Sequence, residues 1–182
     1  LENSIKFSHE ENDMFIGLNA SVFENLKENY NDKYEYILPE INLDKNLFSS
    51  NKFGSLDLQS NFKAHNYDTN KSSNFLVNNF NWNFKDKKFS NGIKGKFLTN
   101  FKNINYESKN IENLKQDTTS ELYGAFGYFS EIDLQKEEKG NRYSLKPKFL
   151  LRFAPGSMRK QTSGSRLDPA AAFSMDRLDR EN

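Results

Sequence analysis

Few residues in this 182-residue chain have the types and spacing that chemistry requires. Asp57 and His65 share a parity along one alternating stretch, so they would lie on one face of a strand. They are eight positions apart, about 26 Å at roughly 3.3 Å per residue, too far for a base and its orienting acid. His9 is the only other histidine, and the chain has no cysteine. Neither a histidine metal centre nor a thiolate site nor a disulfide framework can be built from that set. Asp68, Thr69 and Asn70 resemble part of a calcium loop, but the glycine and closing glutamate are missing, and a plain turn is the better reading. Arg159, Lys160 and Arg166 could meet lipid phosphates or simply stand in a solvated loop. No Gly-x-Ser-x-Gly, P-loop or His-Glu-x-x-His occurs. The expected protein is therefore not an enzyme, and it needs no cofactor and no metal.

The elements that would position these residues carry a clearer message. In Gly54 to Asn70, Leu56, Leu58, Phe62 and Ala64 fall on one parity, broken only by Ser60, while Asp57, Gln59, Asn61, Lys63 and His65 fall on the other. After a turn-rich gap, Asn74 to Lys85 repeats the pattern, with Phe80, Trp82 and Phe84 against Asn79, Asn81 and Asn83. Side chains of a strand alternate between faces, so each stretch predicts a strand with one apolar and one wet face. Two such strands in tandem are what a transmembrane barrel hairpin requires. The expectation is that Leu56, Leu58, Phe62, Phe80, Trp82 and Phe84, with Phe126 and Tyr128 further on, face lipid. Asp57, Gln59, Asn61, Lys63, His65, Asn79, Asn81 and Asn83 are expected to line a wet lumen.

Composition points the same way. Charge is balanced, with 26 Lys+Arg against 25 Asp+Glu, which gives no footprint for nucleic acid. Hydrophobic residues make up only 35% and mean hydropathy is −0.88, a level that suggests disorder. Yet 14% of residues are aromatic, and disordered chains are poor in aromatics. A small apolar share placed on large rings at alternate positions fits a barrel wall. No run of 18 apolar residues occurs, so no membrane helix is expected. The start at Leu1 and the stop at Asn182 in mid-pattern suggest an internal piece of a longer protein.

Along the chain, strands are expected at 1–8, 14–26, 34–45, 54–66, 74–85, 92–106, 118–134 and 142–153. A break is expected at Pro39, turns at 10–13, 86–88 and 135–141, a polar loop with a helical turn at 107–117, and a loop at 155–169. Residues 170–182 fit a short helix or a further strand. Strands of about 10–14 residues suit a tilted membrane crossing, which takes about 9–11, better than a soluble sandwich, whose strands run to about 5–6. The fold class expected is all-β: an antiparallel transmembrane β-barrel, an arc of about eight strands from a larger barrel.

Several stretches, in order, resemble the C-terminal barrel of the LPS-assembly protein (LptD, organic-solvent-tolerance) family, in its alphaproteobacterial form. They are YEYILPEINLD from Tyr34, GSLDLQSNFKAHNYDTNK from Gly54, LVNNFNW from Leu76, NINYE from Asn103, DTTSELYGAFGY from Asp117, LKPKFLLRFAPGSMR from Leu145 and SRLDPAAAFSMDRLDREN from Ser165. The resemblance implies a large barrel in the outer membrane of a Gram-negative cell that inserts lipopolysaccharide into the outer leaflet. It implies an LptE-type plug lipoprotein and periplasmic Lpt bridge proteins as partners. The periplasmic domain and the gate strands of that family have no counterpart here, nor do its cysteines. Another outer-membrane barrel, a porin or receptor-type transporter, and a soluble β-rich adhesin are the rival readings.

Overall fold

A computed structural model describes residues 1–27, 31–112 and 114–155. The expected loop at 155–169, the choice between helix and strand at 170–182, and the basic cluster of Arg159, Lys160 and Arg166 lie outside the described residues, apart from Pro155. The described chain is β-structure throughout. In order come β1 (Glu2–Glu11), β2 (Met14–Glu24), β3 (Tyr34–Ser50), β4 (Gly54–Tyr67) and β5 (Ser72–Asn83). Then follow the short β6 (Lys87–Lys88), β7 (Ile93–Lys109), β8 (Thr119–Ile132), β9 (Leu134–Glu138), β10 (Asn141–Leu145) and β11 (Lys148–Phe153).

The main sheet is antiparallel, in the order β1-β2-β3-β4-β5-β7-β8-β11, with β6 added to the start of β7. Chain neighbours are therefore sheet neighbours, apart from the β9–β10 hairpin, which forms a sheet of its own. β1 and β11 do not pair with each other, so the described strands form an open sheet.

Several expected boundaries move. β3 runs on to Ser50 and β7 to Lys109, beyond the expected ends at 45 and 106. The β7 extension is polar on both faces and carries no alternation, while in the β3 extension Leu47 and Phe48 sit side by side at a register shift that breaks the alternation; pairing with a neighbour keeps both extended. The expected strand at 142–153 is two strands, interrupted at Lys146–Pro147. The expected turn at 86–88 is strand β6; the chain reverses at Phe89–Gly92 instead, closed by the Phe89 and Ile93 backbones at 2.9 Å. The expected turn at 135–141 is the β9–β10 hairpin, reversing at Lys139–Gly140 with positive φ at both residues, as a tight primed turn needs. At Pro39 the expected break is a register shift between Ile37 and Glu40 against β4.

Two glycines hold tight corners. Gly54 opens β4 at φ +81°, and a Cβ there would run into the backbone of Asn83 to Lys85. Gly92, at φ +83°, has open space around it. Gly92→Ala should cost about 1 kcal/mol, the left-handed penalty alone. Gly54→Ala should cost about 2–4 kcal/mol, because backbone overlap adds to the same penalty. Urea unfolding midpoints of the two variants test this order.

Candidate functional site: two unlike faces

Register assigns every strand residue to one of two faces. One carries Asn19, Asn42, Gln59, Asn79, Asn100 and their row neighbours; the other carries Leu18, Ile41, Phe62, Phe101 and Phe126. The polar face is the buried one. Ser21, Ser73, Val77, Asn100, Ile104, Tyr106, Ser108 and Ala125 all lie on it, each no more than 8% exposed. The apolar face is open: Phe97 is 60% exposed, Leu122 62%, Phe126 55% and Leu151 63%. A curled sheet has this effect, since side chains on the inside converge and those on the outside splay. Among the described residues, Gly95 is the one buried residue on the outer face; the Tyr128 ring lies where its Cβ would be.

The inner face is laced with carboxamides. Asn46 donates to Asp57 (2.6 Å), Asn61 to Asn42 (2.6 Å), Asn19 to Glu40 (3.0 Å) and Asn100 to Asn81. Lys63 stands opposite Glu40, and Gln59 and Asn79 are register partners. Asp57, Gln59, Asn61, Lys63, His65, Asn79, Asn81 and Asn83 thus share this face. Asp57 and His65 do not meet. Asp57 is held by Asn46 and Ser55, while His65 lies 3.4 Å from Glu35 and stacks on Tyr67 at 4.3 Å. Alternation within β4 could not reveal Glu35, because it comes from the neighbouring strand.

Part of the inner face is apolar, which the Asn-rich pattern did not foretell. Phe75 stacks on Tyr106 at 5.2 Å beside Val77 and Ile104, and Leu114 from the 110–118 loop packs onto them. The Leu114 amide donates to Ile111 at 3.3 Å, and Ser108 Oγ to the Lys115 carbonyl at 2.8 Å. No helix forms at the expected helical turn among the described residues, and Leu114 itself packs inward.

The outer face bears Leu56, Leu58, Phe62, Phe80 and Trp82 in paired rows, with Phe126 and Tyr128 on β8. Phe84 lies just past β5, its amide bonded to Phe97 at 3.1 Å. An aromatic chain edges this face: Phe48–Trp82 (5.8 Å), Trp82–Phe84 (4.4 Å), Phe84–Phe97 (6.3 Å) and Phe97–Tyr128 (5.1 Å). One polar seam interrupts it, where Ser60 donates to Asn78 (2.7 Å) and Asn105 to Asn103 (2.6 Å).

The apolar band does not follow the hydrogen-bonded rows. It is centred at Leu18 on β2, Phe80 on β5 and Leu151 on β11. The row from Leu18 passes through Ile41 and Phe62 to Leu76, four residues short of Phe80. It continues through Asn105 to Ser120, eight residues from Tyr128, the partner of Leu151. Eight residues over six strand spacings, at roughly 3.3 Å and 4.8 Å each, inclines the strands to the band normal by about 40°.

The end reached by the turns after β2, β4 and β7 is tied together by polar bonds. Asp32 accepts from Lys71 at 2.7 Å and from Thr69; the Tyr34 amide donates to Asp68 at 2.9 Å; Lys109 Nζ donates to Asn70 at 3.0 Å. Among the described residues, no group of three or more His, Asp or Glu could hold a metal, and no helix is long and apolar enough to cross a membrane. The latter says nothing of strands.

No family model matches the chain, and no curated protein matches it.

Hydrogen bonds from Lys71 and then Thr69 hold the Asp32 carboxyl below its ordinary value of 3.8, with burial opposing them. A depressed carboxylate stabilises the fold above the unfolded value, and that contribution is lost as pH falls through the folded one. Protection of the Tyr34 and Tyr67 amides should therefore hold above about pH 4 and fall below 3.8. Asp32→Asn should remove this acid step. Amide exchange against pH tests it, and an unchanged step in Asp32→Asn would count against the tie.

Proposed function

We propose that the chain forms wall of an outer-membrane β-barrel that inserts lipopolysaccharide into the outer leaflet. The observation that carries the barrel reading is the inclined apolar band. Barrel strands tilt by about 35–45° to the membrane normal, and the band crosses these strands at about 40°. A soluble sheet packed on one partner has no reason to shift its apolar patch by the same amount at each strand. The band's width agrees. Met14 to Val22 on β2 covers eight residue steps, about 26 Å along the strand and about 20 Å across the band, close to the roughly 25 Å of a barrel's lipid face. The aromatic chain along its edge is the interfacial girdle such a wall carries.

On this reading the inner face borders water. Asn and Gln side chains present donors and acceptors in parallel rows, a surface on which hydroxyl-rich head groups exchange hydrogen bonds as readily as water does. Val77, Ile104, Tyr106 and Leu114 narrow the same side with an apolar step. The lipopolysaccharide part of the proposal is supported by the ordered resemblance to the LPS-assembly family, and an LptE-type plug and periplasmic Lpt proteins would be its partners. Outer-membrane localisation follows from the same reading.

Two experiments test the wall. Leu58→Arg and Trp82→Arg place charge in the band and should each cost about 2–4 kcal/mol near mid-membrane, blocking assembly. Gln59→Arg, on an exposed part of the inner face, should be tolerated. Cysteine scanning from Ser55 to His65 in intact membranes should give a period of two, odd positions labelled by a water-soluble reagent and even ones shielded. Uniform labelling would move the protein out of the membrane.

A further inference from the structure

The hydrogen bonds that lace the inner face pass over the middle of one row. Phe15, Asp44, Gln59, Asn79, Lys102 and Tyr123 are successive register partners across β2, β3, β4, β5, β7 and β8. In the row on one side, Asn46 bonds to Asp57 and Asn100 to Asn81. In the row on the other, Asn61 bonds to Asn42, and Val77 packs with Ile104. Between them, Asp44, Gln59 and Asn79 make no side-chain hydrogen bond or ion pair among the described residues. Asp44 and Gln59 are exposed, and Asn79 is half-buried.

A ring stands at each end of the row. Phe15 leans over Gly17, its Cε1 and Cζ 3.2 and 3.4 Å from where a Cβ on that glycine would stand. Tyr123 packs on the Val77–Ile104 cluster, and its hydroxyl donates to Glu121 at 2.6 Å. Both rings are half-buried. The order across the sheet is therefore ring, carboxylate, two carboxamides, ammonium and ring, at about 4.8 Å per strand. A carboxylate only accepts, a carboxamide both donates and accepts, and an aromatic ring packs against C–H groups. A pyranose offers the matching surfaces, a rim of hydroxyls and a face of C–H bonds. Asp44 repels phosphate, and Lys102 balances its charge within the row, so neither an anion nor a cation is favoured. An extended peptide would pair at a sheet edge, whereas this row lies on a face.

We infer that the row is a subsite for a neutral oligosaccharide. One sugar ring packs on Phe15 with its hydroxyls on Asp44 and Gln59, and the saccharide continues over Asn79 towards Tyr123. The inference deepens the proposed function and rests on its reading of the inner face as the wet one. It adds where a saccharide lies, and that the part bound there is uncharged.

The full chain, refolded in zwitterionic detergent micelles, is titrated calorimetrically with neutral linear oligomers of glucose, mannose and galactose. At least one should bind, with an affinity indifferent to salt because the ligand carries no charge. Asp44→Asn and Phe15→Ala should each weaken binding about ten-fold, through loss of a charge-assisted hydrogen bond and of a packing surface, while Phe15→Tyr should retain it. Gln59→Arg, expected to leave assembly intact, should abolish binding by engaging Asp44. Asn83→Ala, on the inner face but outside the row, should leave the affinity unchanged. Binding of none of the oligomers, an affinity that survives both Asp44→Asn and Phe15→Ala, loss of binding at high salt, or tighter binding of the same oligomers carrying a phosphate would each overturn the subsite. Thiol labelling of Leu58→Cys and Gln59→Cys in intact membranes separates this outcome from the wall. Labelling at position 59 alone, without saccharide binding, removes only the subsite. Saccharide binding with equal labelling at both positions keeps the subsite and removes the wall.

Discussion

Strand register is the constraint on which this structure depends. Side chains alternate with period two, so a slip of one residue between neighbours would turn a strand's apolar set inward and its carboxamides outward. β3 shows how the constraint is met. Glu35 and Ile37 are inner at odd positions, yet Glu40, Asn42, Asp44 and Asn46 are inner at even ones. The shift around Leu38–Pro39 absorbs the odd residue, and a second shift between Asn46 and Phe48 returns the phase. The same extra residue of β3 shows against β2 between Asn19 and Ser21, while β2 pairs with β1 without a break. The proline that cannot donate to the ladder sits where the ladder is already broken.

With the faces fixed, cohesion comes from an unusual source. Only four hydrophobic residues are buried among those described, so the sheet has no ordinary core. Its strands are joined by backbone ladders, by carboxamide pairs such as Asn42–Asn61, and by the polar ties around Asp32. Each neutral hydrogen bond contributes a net of only about 1 kcal/mol. A sheet of this kind is sturdier when its outer face is placed in an apolar medium, where no water competes for the ladder.

Much of this was legible in the sequence, and the part that was not has physical reasons. The faces of β4 and β5 could be read because both strands alternate cleanly where one side is apolar. The extensions of β3 and β7 could not, because the end of β7 is wet on both faces and the register shift at Leu47–Phe48 breaks the period at the end of β3. Pairings across strands were hidden in the same way: Glu35 beside His65, or Tyr128 over Gly95, depend on register, which one strand's pattern does not contain. The inner apolar step of Val77, Ile104 and Leu114 escaped because Leu114 reaches it from a loop. Lys139–Gly140 carried a local signal for its hairpin, but the charged flanks read as part of the turn rather than as strands. The inclination of the band was present in the sequence too, and only alignment of the rows makes it visible.

The open edges of the sheet bear on the order of events in biogenesis. β1 and β11 each present one side without a partner among the described strands, a row of amides and carbonyls that water satisfies and hydrocarbon does not. Every such group carried into lipid would cost several kcal/mol, more than the outer side chains of one strand recover. On the proposed barrel reading, edge pairing and entry into the bilayer would be thermodynamically coupled, and the wall would have to pair its edges before or while it sheds water. Any factor that shields an edge during that interval acts as a catalyst of insertion without touching the apolar face.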